Sequence, residues 1–175
     1  MKKIIIIITC VTIGLSTFGQ TTKYVYVNTD YILKNIPEFT EAQKEIDKIS
    51  EEWRVEVAKK QKEIDDLYKV FQNEQYLLTE EQKKNKVQEI ENKEKGLKDY
   101  QKEKFGYEGA LFQTRQELVK PIQDKVYDAI EKLAKERGYD FIFDKAGSTV
   151  ILFADPKNDR SDDILRSLGY TPGTK

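Results

Sequence analysis

The sequence contains no histidine and a single cysteine, Cys10. Without imidazole there is no Ser–His–Asp triad, no HExxH zinc site and no ordinary general base near neutral pH. A lone thiol cannot close an intrachain disulfide. Glycine and proline are scarce, at 9 and 4 of 175 residues, so few turns are expected for this length. Neither charge dominates: 30 basic residues face 31 acidic ones, for a formal net charge of −1. That balance gives no electrostatic footprint for nucleic acid or a membrane surface. The phosphate-cradling pattern GxxxxGK[ST] and any Cys/His ligand cluster are missing as well. Asp140, Asp144 and Asp155 come nearest to a carboxylate group, but their spacing matches no EF-hand loop. Strand ends and turns account for them, so no catalytic residue, cofactor or metal ion is expected.

What the chain does have is charge and helix-forming residues: 35% of it is Asp, Glu, Lys or Arg. Such a composition fits long solvated helices better than one large core. The first twenty residues stand apart. Met1-Lys2-Lys3 is a positive start, Ile4 to Leu15 is apolar but too short to span a bilayer, and Thr17 and Gly19 are small. This is the layout of a secretory signal peptide at residues 1–20, cut near Gly19 or Gln20. Cys10 lies inside the apolar run, not after it, which argues against a lipid anchor. Losing Lys2 and Lys3 from the 30 basic residues leaves 28 against 31 acidic, and no cysteine. A cysteine-free mature chain at residues 21–175 is compatible with an oxidising compartment.

Tyr24 to Val27 reads as a strand, being aromatic and β-branched. After Pro37, the apolar positions Ala42, Ile46, Ile49, Trp53, Val57, Ile64, Leu67 and Phe71 recur in helical steps along one face. The spacing drifts from a strict heptad, which predicts weak supercoiling. Thr79 with Gln82 is a capping-box pair, placing a turn at residues 76–79 and a second helix from Glu80. Its apolar row is Ile90, Leu97, Leu111 and Leu118, with Lys104 in one slot. The two helices form an antiparallel hairpin whose seam is thin, since Lys60 and Lys104 stand where apolar groups belong. Gly106 and Gly109 mark either close packing at a small residue or a break between arm and body. Pro121 restarts a helix with the face Ile122, Val126, Ile130 and Leu133, and Gly138 stops it.

Two short runs follow, 140–144 and 149–153, joined at Ala146-Gly147, and both read as strands. A last helix starts at Ser161 as N-cap and ends at Gly169. The fold expected is α+β and mostly α: a small three-stranded antiparallel body with a long protruding helical hairpin. The body covers about residues 21–45 and 110–175, and the arm about 46–109. Val25, Val27, Ile32, Phe141, Phe143, Ile151 and Phe153 are its expected core, shared in part with other subunits.

The segments "KYVYVNTDYIL", "IPEF" and "LVKPIQDKVYDAIEKLAKERGYDFIFD" resemble the Skp/OmpH family of periplasmic chaperones, particularly its Bacteroidetes-type members. The resemblance runs over the whole mature chain and is most specific from Leu118 to Asp144. It implies a non-enzymatic homotrimer whose helical arms surround a cavity and hold unfolded outer-membrane proteins in the periplasm without ATP. Aromatic residues on the arm exceed what a two-helix seam hides, and Tyr76, Tyr100, Phe105, Tyr107 and Phe112 are the candidate client contacts. The best-known members are strongly basic, whereas this chain has a pI near 5.8. Lys83, Lys84 and Lys86 are offset by Glu80 and Glu81, which argues against direct binding to anionic lipid. The other function class open to such a chain is an envelope spacer or assembly adaptor, measuring distance with its coiled coil.

Overall fold

The computed structural model describes residues 22–147 and 150–173. The signal-peptide reading, Cys10 and Thr149 lie outside the described residues. Strand β1 (Tyr24–Val27) leads into a short helix α1 (Thr29–Lys34), then a 38-residue helix α2 (Pro37–Glu74). The chain returns through α3 (Glu80–Phe105), α4 (Ala110–Leu118) and α5 (Lys120–Arg137). Strand β2 (Phe141–Asp144), a 3₁₀ turn at Pro156–Asn158 and α6 (Ser161–Ser167) complete it. None of the described helices is long and apolar enough to cross a membrane.

Local chemistry places most of these boundaries. The Asn28 side chain accepts a hydrogen bond from Tyr31 N at 3.0 Å and so caps α1. Pro37 opens α2, where its missing N–H costs nothing. Thr79 Oγ1 accepts from Gln82 N at 3.3 Å while Gln82 Oε1 accepts from Thr79 N at 2.9 Å, completing the capping box. Gly138 (φ 64°) takes the left-handed conformation that ends α5, and Tyr139 N reaches back to Ala134 O.

The hairpin of α2 against α3 reaches out from the body. At 1.5 Å per residue, α2 is about 57 Å long. Its distal seam buries Ile64, Ile90 and Leu97, with Val57, Leu67 and Phe71 packed alongside. Gly96 sits on the open side of α3, and a Cβ there would meet nothing within 4 Å. Gly96→Ala is therefore expected to raise stability by about 0.5–1 kcal/mol, read as a higher melting temperature at unchanged fold.

Several expectations are corrected. Among the described residues the sheet has two strands and they are parallel, pairing Tyr24 with Phe141 and continuing in register to Val27 with Asp144. The cause is the crossover. Helix α5 carries the chain back past the sheet, so β2 enters at the Lys23 end. Asp140 N bonds Lys23 O at 2.8 Å, and Lys145 N bonds Val27 O at 2.7 Å at the other end. Val150 to Phe153 form no strand. The second edge of β1 is taken instead by a bridge of Tyr26 with Asp159, where Arg160 N bonds Tyr26 O at 2.9 Å. Asp144 turns the chain after β2 by accepting from Ala146 N, and it also ties Thr29 through both its N–H and hydroxyl. At α6, Ser161 is the first helical residue, not the cap. Asp159 accepts from both its N–H (2.9 Å) and its hydroxyl (2.6 Å), and the same hydroxyl oxygen accepts from Asn28 N.

Alternation along β2 revises the core. Ile142 packs inward, which turns Phe141 and Phe143 to the outer face, where their rings stack at 6.2 Å and are exposed. Phe153 is exposed and Ile151 half-buried, whereas Val25, Val27 and Ile32 are buried. Within the chain, the core is Val27, Ile32, Leu33, Ile36, Val126, Ala129, Ile164 and Leu165, uniting residues from both ends of the sequence.

The segment after α6 folds over the base of the arm. Tyr170 donates its hydroxyl to Glu38, 3.0 Å from each carboxylate oxygen. Burial and then this bond hold its pKa above the ordinary 10.0. A raised tyrosine pKa contributes stability that is present below pH 10.0 and lost as pH rises through the folded value. Alkaline melting curves should show the wild type losing its margin over Tyr170→Phe above pH 10.0, and not below it.

Candidate functional site

The arm begins where α2 passes the end of α3, and here the seam changes character. Trp53 of α2 meets Phe105 of α3 edge to face, with ring centroids 6.1 Å apart. The Lys104 ammonium lies 5.3 Å from the Trp53 ring centre and 5.5 Å from that of Tyr100. Lys60, on the opposite helix, lies 5.3 Å from Tyr100. The two lysines that read as misfits in an apolar seam are thus stacked on aromatic faces. Their spacing carried the signal: Tyr100 and Lys104 are four apart and Trp53 and Lys60 seven apart, each pair on one helical face. Hydrogen bonding to Glu103 at 2.7 Å holds the Lys104 ammonium above the usual lysine range.

Immediately beyond, α3 stops at Phe105 and α4 starts at Ala110, so the return helix is broken at the two glycines. A Cβ on Gly106 would collide with Lys102 O, and one on Gly109 would sit 2.8 Å from Glu103 O. Between them Glu108 adopts φ 55°, a left-handed conformation uncommon for a residue with a side chain. The break thrusts Tyr107 into solvent, 95% exposed. Helix α2 runs on unbroken beside it.

The five sequence-chosen aromatics are scattered over the arm. Tyr76 stands at the far tip, 87% exposed, beside an equally bare Leu77. Tyr100 is half-buried under its two lysines, Phe105 is partly exposed against Trp53, Tyr107 projects from the break, and Phe112 is exposed on α4. Tyr100 and Phe105 therefore share one layer, Tyr107 and Phe112 flank the break, and Tyr76 is remote. Sequence reasoning missed Leu77, whose place in the turn after Tyr76 was visible, and the covering role of the lysines.

The body has a second exposed apolar surface. A cavity of about 570 Å³ opens on the outer side of the sheet, lined among others by Tyr24, Tyr26, Phe143, Ile151 and Phe153. Val150, which also lines it, and Leu152 are bare. Asp140, Asp144 and Asp155 do separate structural work: Asp140 accepts from Lys23 N, Asp144 from Thr29 and Ala146, and Asp155 from Lys157 N. Among the described residues, no three His, Cys, Asp or Glu side chains gather as a metal site would require. The chemistry on offer is apolar contact, with cations placed over rings.

A family model described as outer membrane protein, OmpH-like, matches residues 23–168. Among solved structures, the crystal structure of a candidate outer membrane chaperone (OmpH-like) from Caulobacter crescentus superposes with a TM-score of 0.64. The match covers 85% of this chain and 84% of that one at 9% identity, a likeness of fold. No curated protein matches the sequence.

Proposed function

Because the chain belongs to the family of OmpH-like outer membrane proteins, we propose that it is an ATP-independent periplasmic holdase for unfolded outer-membrane proteins. The observation that carries this reading is the arm: a projection with a thin apolar seam that leaves Tyr76, Tyr107 and Phe112 in water. A holdase must bind many sequences and release them without fuel, which calls for many weak apolar contacts and no single tight pocket. Each contact gains roughly 25 cal/mol per Å² of apolar surface removed from water. The likeness in fold to the Caulobacter crescentus chaperone candidate supports the same conclusion. A spacer would be better served by an unbroken seam, and the interruption at residues 106–109 weighs against that reading.

Three copies of the chain enclose the client cavity in this reading. The outer sheet face, with Phe141, Phe143, Val150, Leu152 and Phe153 exposed, is an apolar patch of the kind that self-association covers. The signal peptide directs the chain to the periplasm.

The direct test is suppression of aggregation. A urea-unfolded β-barrel protein diluted into buffer should stay soluble with an excess of this chain, and a spacer would leave its aggregation unchanged. A photocrosslinker at Tyr107 should capture that client. Capture at an exposed position in the body, with none at Tyr107, would move the client site off the arm.

A further inference from the structure

The Trp53–Phe105 layer is neither an ordinary apolar seam nor a bare surface. It lies between two apolar clusters, that of the body and that of Ile64, Ile90 and Leu97 farther out. A leucine at position 60 or 104 would close the interval as a permanently dry seam. Lysine instead lays a flexible stem and a charge over the rings and holds on by an attraction that is weak at a partly exposed site. While it lies over the rings, each ammonium is also ion-paired on its own helix: Lys104 contacts Glu103 at 2.7 Å, and Lys60 contacts Glu56 at 3.4 Å.

We propose that Lys60 and Lys104 are removable covers over an aromatic binding site formed by Trp53, Tyr100 and Phe105, whose occupant is an apolar side chain of an unfolded polypeptide. This rests on the holdase reading and adds a gate to it. In the empty arm the ammonium groups shade the ring faces from water and from other copies of the chain. An arriving apolar side chain takes the faces. The displaced lysines swing into solvent while Glu56 and Glu103 stay within reach as partners, so no charge is left buried and unpaired. The occupant is apolar because the uncovered surface is aromatic carbon, and two more exposed rings, Tyr107 and Phe112, follow Phe105 within seven residues along the chain. Binding thereby needs no backbone rearrangement, only rotation of two long side chains, which allows release as readily as capture.

Trp53 is the only tryptophan, so its fluorescence reports on this layer alone. The experiment uses the chain with a urea-unfolded β-barrel protein that lacks tryptophan. Client addition should shift Trp53 emission and lower its quenching by acrylamide. The paired variant Lys60→Ala/Lys104→Ala uncovers the rings: quenching in the empty protein should rise about twofold and client affinity about fivefold. The paired variant Lys60→Arg/Lys104→Arg keeps the charge but stacks more firmly, and affinity should fall about threefold. Opposite shifts from these two pairs are the signature of a cover; a merely structural role makes both pairs weaker or leaves both unchanged. If the alanine pair loses helical circular dichroism, the arginine pair with Trp53 emission still decides. Normal suppression of aggregation with unaltered Trp53 emission on client addition would overturn the gate and leave the holdase standing. Failure to suppress aggregation at all would overturn both.

Discussion

Ile164→Ala is expected to remove about 3 kcal/mol of stability, a large share of the total for so small a body. Ile164 is fully buried, and so are its neighbours Ile32, Leu165 and Val27. It comes from the end of the chain, while Val27, Ile32, Leu33 and Ile36 come from the start and Val126 from the middle. Truncation would leave a cavity where three distant segments meet, and the hydrogen bonds that frame the site restrict its collapse. Ser161, one turn earlier, is fully buried and bonded to both Asn28 and Asp159. Urea unfolding followed by far-ultraviolet circular dichroism measures the loss. Ile164→Val should cost about 1 kcal/mol by the same reasoning, since it deletes one methylene. An alanine variant as stable as the valine one would mean that the N- and C-terminal segments do not share a core.

The second large effect concerns the break in the arm. Gly106→Ala is expected to destabilise the chain by about 2 kcal/mol, although alanine is the better helix former. Its Cβ would strike Lys102 O, a backbone atom that cannot step aside without moving α3. The path of least strain continues α3 as helix through positions 106–109. That turns α4 relative to α3 and carries Phe112 and Leu111 off their present faces. The signature is paired: mean residue ellipticity at 222 nm becomes more negative while the melting temperature falls. A rise in both helicity and stability would show that the break is a fault in the helix, not a feature the body requires. Gly96→Ala, with open space around its Cβ, is the internal contrast: same substitution, same return helix, opposite sign.

The break also redefines how the arm can bend. Two glycines in sequence permit either tight packing or an interruption, and the structure takes the interruption. Yet α2 continues past that level without a break. Bending at residues 106–109 therefore has to flex an intact helix, so this side of the arm shifts against a continuous rail instead of swinging freely. The lysine-covered layer beside the break, held by cation–ring contacts and surface ion pairs, is where such shifting costs least.

Much of the arm was legible in advance because its signals are local. Apolar steps of three and four residues, the Thr79–Gln82 box, Pro121 and Gly138 act within one or two helical turns, and each stands where expected. The candidate client residues were less legible. Aromatic content shows that a thin seam cannot hide every ring, but not which one. Tyr107 is bare because a backbone break ejects it, and Tyr100 is shaded because two lysines on different helices converge on it.

What the sequence alone determined was the long helices, the turn before Glu80, the stop at Gly138, the projecting hairpin and the meeting of the first strand with the segment after Gly138. These follow from short-range propensity, capping and periodicity. Only the tertiary structure decided that the two strands run parallel, that Asp159 and Arg160, not Val150 to Phe153, take the other edge of β1, and that Phe141 and Phe143 face outward. An isolated strand pattern is symmetric to direction and to face. Strand direction is set by where a crossover of more than a hundred residues delivers the chain, and strand facing by which side the distant helices α5 and α6 already occupy.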